Sequence, residues 1–214
     1  MKKILTICMI SLLFCSGCAW FQTKSEKTAE ELISDGMTAF EKGKYRKSLE
    51  SFEKLKDWYP FSKFAILAEL KTADAHFHLG EYQEAIFAYE GFENLHPRNE
   101  AVPYVIYQVG LCHFEQIDSI DRDQTAAQKA LDTFNRLVRQ FPGDDYARKA
   151  REHIGKCKKN LAEHEFYVGI FYYKSKHYKA ALSRFQAILS DYPDAPVLQD
   201  AQRYAGLCEK VIED

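Results

Sequence analysis

The stretch Phe52-Glu53-Lys54-Leu55-Lys56-Asp57-Trp58-Tyr59-Pro60 decides how this chain folds. Its proline stands eight positions after its first aromatic residue, and the same offset recurs from Tyr89 to Pro97, Phe134 to Pro142 and Phe185 to Pro193. Three of these prolines follow an aromatic residue directly, in Tyr59-Pro60, Phe141-Pro142 and Tyr192-Pro193. A recurrence of this kind marks one supersecondary unit stacked several times, each copy burying its apolar face on the next. Function in such an array is expected on a surface rather than in a catalytic cleft.

Working outward, a small residue stands twelve positions before each proline (Ser48, Ala85, Ala130, Ala181) and another thirteen positions after it (Ala73, Gly110, Gly155, Gly206). Small residues let neighbouring helices approach closely. Lys42-Gly43-Lys44-Tyr45 and Leu79-Gly80-Glu81-Tyr82 are turn signals, since glycine accepts the left-handed conformation that ends a helix and proline cannot continue one. Leu49, Phe52, Leu55 and Trp58 recur every third residue, as do Leu131, Phe134 and Leu137, which predicts one apolar helical face. The unit is helix, turn, helix, proline. It resembles the tetratricopeptide repeat, carried by Gly36, Ser48, Phe52, Leu55 and Pro60 in the first unit and by Ala73, Ala85, Tyr89, Phe92 and Pro97 in the second. The expected fold is an all-α tetratricopeptide-repeat solenoid of four helix pairs plus a C-terminal capping helix.

The intervals between prolines are 37, 45 and 51 residues. The second contains a polar insertion at Asp118-Ser119-Ile120-Asp121-Arg122-Asp123, between the helices of the third unit, where a longer loop costs little closure entropy. The third exceeds the first by 14 residues, about four helical turns, which keeps the same face inward. An unbroken helix is therefore expected over 145–174. The units fall at about 29–60, 61–97, 98–142 and 143–193, with a cap over 194–214 whose helix is expected over 196–212.

Met1-Lys2-Lys3 followed by the apolar run 4–14 has the form of a secretory signal, too short to span a bilayer as a mature helix. Ser16-Gly17-Cys18 resembles a bacterial lipoprotein cleavage site, with residues 1–17 as signal peptide, Cys18 as the lipidated residue and 18–28 as a short tether. By the same resemblance, Ala19 rather than Asp after Cys18 favours passage to the outer membrane. Several acyl carbons at about 0.8 kcal/mol per buried methylene make such an anchor firm.

The formal charge of −2 argues against a nucleic-acid partner, which would require a basic face. Beyond Cys18, Cys112, Cys157 and Cys208 each follow a repeat glycine by two positions, which reads as small buried filler rather than a disulfide framework or metal site. His76 and His78 point roughly 200° apart on a helix and cannot share a metal ion. No nucleophile has an assignable base, so no enzyme, cofactor or metal is expected.

A stripe on the first helices carries the functional expectation. Phe40, Phe77, Phe114 and Tyr173 lie four positions past Gly36, Ala73, Gly110 and Gly169, and Ile33, Leu70, Tyr107 and Phe166 lie two turns earlier on the same face. The stripe reads either as core between repeats or as an aromatic trough for an extended segment. The substrate-binding positions on the second reading are Ile33, Phe40, Leu70, Phe77, Tyr107 and Phe114. Positions that hold a carboxylate clamp in chaperone-binding arrays carry Ile33, Met37, Leu67 and Lys71, so that clamp is largely missing.

Trp58-Tyr59-Pro60-Phe61-Ser62, Asp121-Arg122-Asp123, Leu137-Val138-Arg139-Gln140-Phe141-Pro142 and the run 172–193 together resemble the BamD family, lipoproteins of the machine that assembles outer-membrane β-barrels. Gln124 stands where that family often has proline, and the chain is one helix shorter than longer members. The resemblance implies that the N-terminal units receive the C-terminal targeting strand of unfolded outer-membrane proteins. It further implies that the C-terminal units dock on the POTRA domains of the barrel subunit BamA, with Arg184 as a contact, alongside other accessory lipoproteins. A different envelope scaffold, such as a secretin pilotin or a division scaffold, is the competing expectation.

Overall fold

The computed structural model describes residues 26–213, so the signal and Cys18 lie outside the described residues. Among the described residues nine helices follow one another: α1 (Ala29–Glu41), α2 (Tyr45–Trp58), α3 (Ala65–His78), α4 (Tyr82–Leu95), α5 (Val102–Phe114), α6 (Thr125–Gln140), α7 (Asp145–Lys174), α8 (Tyr178–Asp191) and α9 (Leu198–Glu213). Each packs on its chain neighbour, and α5 also packs on α7. The result is an all-α tetratricopeptide-type solenoid.

Local chemistry sets the helix ends. Thr28 opens α1 with a reciprocal capping box, its hydroxyl accepting from the Glu31 N–H while the Glu31 carboxylate accepts from the Thr28 N–H. The turns α1–α2, α3–α4 and α7–α8 share one design. The N–H groups of Lys44, Glu81 and His177 donate to the carbonyls of Ala39, His76 and Tyr172, each five residues back. The preceding residue is left-handed in all three: Gly43 at φ 68°, Gly80 at 72° and Lys176 at 62°. Lys176 occupies without glycine a conformation that costs an L-residue roughly 1–2 kcal/mol.

The core repeats with the sequence. Phe52, Tyr89, Phe134 and Phe185, the aromatics eight positions before each proline, are fully buried, each contributing about 1.5–3 kcal/mol. A β-carbon at Gly36, Gly110 or Gly169 would overlap the ring of Phe52, Phe134 or Phe185 respectively. The expected role of Gly155 is corrected: it is exposed, with open space where its side chain would be. The 14-residue extension moves the ring-facing position of the fourth unit from 155 to 169. Trp58 is also corrected from the apolar face to the surface, at 49% exposed, because α2 ends there.

The helix α7 is continuous over 30 residues, and its two halves serve different neighbours. Ala147, Ala150, Cys157 and Leu161 complete the core around Phe134, whereas Ala162 belongs to the core around Phe185. Cys112, Cys157 and Cys208 are free and fully buried. Burial pushes the Cys112 thiol up to about 12 and the Cys157 thiol to about 11, which leaves them as inert filler.

Candidate functional site

The aromatic stripe divides into two groups. In the first, Phe40 and Phe77 both present edges to His78, at 5.4 and 5.8 Å between ring centroids. His78 stacks on Tyr45 at 4.6 Å and 7°, and Phe77 meets Tyr82 at 5.8 Å. His78 is exposed, and the other four rings are half-buried. The group forms at the seam between α1–α2 and α3–α4 because both turns place an aromatic residue two positions after the left-handed glycine, at Tyr45 and Tyr82.

Behind it lies a polar network that the sequence reading missed. Asp74 is 2% exposed, and Tyr89 and Tyr104 both donate to its Oδ1 at 2.7 Å. Lys71 Nζ donates to Oδ2 at 2.7 Å while lying 5.0 Å from the Phe40 ring centroid. Gln108 donates to the Tyr104 hydroxyl at 2.7 Å. Burial first, and the Asp74 charge second, push both phenols well above their ordinary range, so they remain donors. The network joins α3, α4 and α5. It also engages Lys71, the one cation among the four clamp positions.

In the second group, Tyr107 and Phe114 close on His153 from α7. Phe114 meets that imidazole at 4.7 Å, Phe134 stacks on it at 5.2 Å, and the Tyr107 hydroxyl lies 3.1 Å from Nε2. Burial, reinforced by the Lys156 charge, holds the His153 pKa below its ordinary value, and its buried Nδ1 has no partner among the described residues. Phe114 also walls a cavity of about 450 Å³ with Ile117, Asp118, Lys156, Lys159, Asn160 and Glu163.

The remaining expected positions fall as follows. Ile33 is corrected to core: it is 8% exposed and shares a cluster with Leu32, Phe52, Leu55, Ala65 and Ala68, filling the seam between the first two units. Leu70 is partly buried against the cluster around Tyr89. Arg184 is half-buried on α8, its Nη1 donating to both Glu165 oxygens at 3.2 and 3.0 Å beside a cavity of about 320 Å³ lined by Tyr172, Asp191 and Tyr192. No helix among the described residues is long and apolar enough to cross a membrane.

These features define a helical-repeat scaffold that offers aromatic surface and paired charges. The family model described as outer membrane lipoprotein, YfiO, matches residues 25–206, and the chain belongs to that family. Relatives named outer membrane protein assembly factor BamD bear out the resemblance to that family. The protein from Caulobacter vibrioides is 31% identical over 179 residues, 81% of this chain and 59% of the relative. That from Rickettsia prowazekii is 29% identical, covering 90% of this chain and 77% of the relative. That from Neisseria meningitidis serogroup B is 27% identical, covering 100% and 86%. The chain thus spans less than two thirds of the Caulobacter relative's length. Among solved structures, a thermophilic tetratricopeptide repeat protein from Thermus thermophilus aligns with a TM-score of 0.45 at 17% identity, covering 84% of this chain and 98% of that one. A tetratricopeptide repeat protein from Parabacteroides merdae aligns at 0.44 and 17%, covering 86% and 61%.

Proposed function

We propose that this chain is a non-enzymatic assembly factor for outer-membrane proteins, anchored through a lipid on Cys18 at the periplasmic face of the outer membrane. Its N-terminal units receive an extended segment of an unfolded outer-membrane protein on the aromatic group around His78. Its C-terminal units dock on the POTRA domains of a barrel subunit of the BamA type through the surface that carries Arg184, with other accessory lipoproteins in the same assembly. Family membership supports the general role. The observation that carries the binding mode is the meeting of Phe40 and Phe77 on one exposed imidazole. The pairing of Lys71 with Asp74 favours apolar side chains over a clamped carboxylate as the recognised feature.

The test is binding of a labelled peptide with alternating apolar residues and a terminal Phe. Phe40→Ala combined with Phe77→Ala is expected to weaken it about tenfold or more, since two partly buried aromatic contacts are lost. Unchanged affinity would remove these rings from the reading. Docking is tested separately by Arg184→Glu, which is expected to abolish co-purification with the barrel subunit from detergent-solubilised envelopes.

A further inference from the structure

The corner where α2 meets α3 carries two large rings that the fold does not use. Trp58 is half exposed and Phe61 fully exposed. The corresponding places in the other units, two before and one after the repeat proline, hold Leu95 and Arg98, Gln140 and Gly143, and Asp191 and Asp194. Only the first unit sets an aromatic residue at both, so the stacking of repeats does not require them. Trp58 and Phe61 wall a cavity of about 460 Å³ together with Tyr59 and Pro60. Its opposite wall is the start of α1, at Thr28, Ala29 and Glu30, the last being the one carboxylate in the lining. The corner is tied to that point, because the Tyr59 hydroxyl donates to the Lys27 carbonyl at 2.9 Å. Lys54, one turn before Trp58, and Lys63, two residues after Phe61, are exposed, and neither forms an ion pair among the described residues.

We propose that this corner is a membrane contact: Trp58 and Phe61 rest in the headgroup zone of the bilayer that holds the lipid on Cys18. The contact goes beyond the proposed function and rests on its anchor, not on the rings around His78. Three observations select a lipid surface as the occupant. The first is reach. Cys18 and Lys27 are nine residues apart in the chain, a distance that spans at most about 32 Å when fully extended. The corner beside Lys27 therefore stays close to the anchored leaflet, and a contact too weak to hold a free protein is populated because the anchor makes it intramolecular. The second is the chemistry of the rings. An indole sits at headgroup level with its apolar body toward the acyl chains and its N–H toward water. Phe61, which has no covering within the chain, gains by entering the same layer. The third is charge. Lys54 and Lys63 flank the two rings and are free to meet lipid phosphates, while their stems lie along the apolar surface. The ring pair thus occurs in the unit nearest the anchor and in none of the others.

The experiment reads Trp58 directly. The chain has two tryptophans, so Trp20→Phe leaves Trp58 as its single indole. The lipidated protein of this background is purified from envelopes and inserted into vesicles of phosphatidylethanolamine and phosphatidylglycerol, with and without brominated acyl chains. Trp58 is expected to lose about half of its emission to the bromines and to shift to shorter wavelength, as an interfacial indole does. Phe61→Ser is expected to reduce that quenching roughly twofold, because less apolar area enters the bilayer. An indole moved to the far end of α7, by Trp58→Phe with Phe171→Trp, is expected to remain unquenched. An acylated, vesicle-bound chain whose Trp58 emission is unchanged overturns the contact and leaves the anchor standing. A chain with no acyl group on Cys18 and no association with vesicles overturns both. Equal quenching at positions 58 and 171 overturns a contact confined to this corner. Self-association in detergent that disappears in Phe61→Ser assigns the rings to a second copy and overturns the membrane contact as well.

Discussion

Phe40 and Phe77 hold the same repeat position as Phe114, yet the N-terminal end and the middle of the molecule use it differently. At the N-terminal end the rings meet around His78, which is exposed. In the middle the ring meets His153, which is half-buried and whose pKa burial holds below its ordinary value. The cause is the side chain that the next helix lays on the ring: α3 brings the Lys71 ammonium to 5.0 Å from the Phe40 centroid, whereas α7 lays the His153 imidazole across Tyr107 and Phe114. A repeat position is thus a geometric address, and what the next helix does decides whether it is surface or support.

The comparison breaks most severely at Asp74, which holds the N-terminal side rigid. Asp74→Ala leaves the Lys71 ammonium and two phenols without their shared acceptor. Removing one partner of a buried charged pair costs about 3–5 kcal/mol, and chemical denaturation is expected to show a loss of that order. A loss below about 1 kcal/mol would mean that the seam between α3, α4 and α5 is held by apolar packing alone.

The next largest effect separates two glycines that look alike in sequence. Gly110→Ala drives a β-carbon into the Phe134 ring, and overpacking of this kind costs about 1–3 kcal/mol. Gly155→Ala meets nothing and lies in the interior of α7, where alanine is favoured over glycine by about 0.5–1 kcal/mol. One substitution is expected to destabilise and the other to stabilise. Destabilisation by both would show that Gly155 carries the close-packing role after all.

These two glycines also show how far the sequence was legible. The proline ladder and the aromatic eight positions before it were sufficient for the all-α class, the insertion at 118–123 and the continuous helix over 145–174, because each follows from spacing alone. The register within α7 was not legible. Counting thirteen from Pro142 lands on Gly155, while counting four back from Tyr173 lands on Gly169, and packing decides between the two for Gly169. The turn at Lys176 was hidden for a related reason: backbone hydrogen bonds hold a left-handed corner where no glycine advertises it. At the candidate site, the stripe located Phe40, Phe77, Tyr107 and Phe114 but placed Ile33 with them. Spacing assigns a residue to a helix face and says nothing of how near the next helix lies. His78, His153 and the Asp74 network depend on contacts between residues 15 to 46 positions apart, which no local pattern encodes.

The smallest effect expected is a pH dependence confined to the middle of the molecule. His153 is held below its ordinary value of 6.5 by burial and then by Lys156, with Glu152 and Glu115 acting in the opposite direction. His113 is held down in the same way by burial and Lys129. Below the ordinary value the unfolded chain takes up protons that the folded chain refuses, so stability is retained above about 6.5 and declines as the pH falls further. The two imidazoles are partly accessible to solvent, which keeps the change to a few degrees in melting temperature. His153→Phe preserves stacking on Phe134 and removes the titrating group, so its melting temperature is expected to fall less between pH 7.5 and 5.5 than that of the wild type. If the His153→Phe profile is as steep as that of the wild type, the covered imidazole does not govern the response.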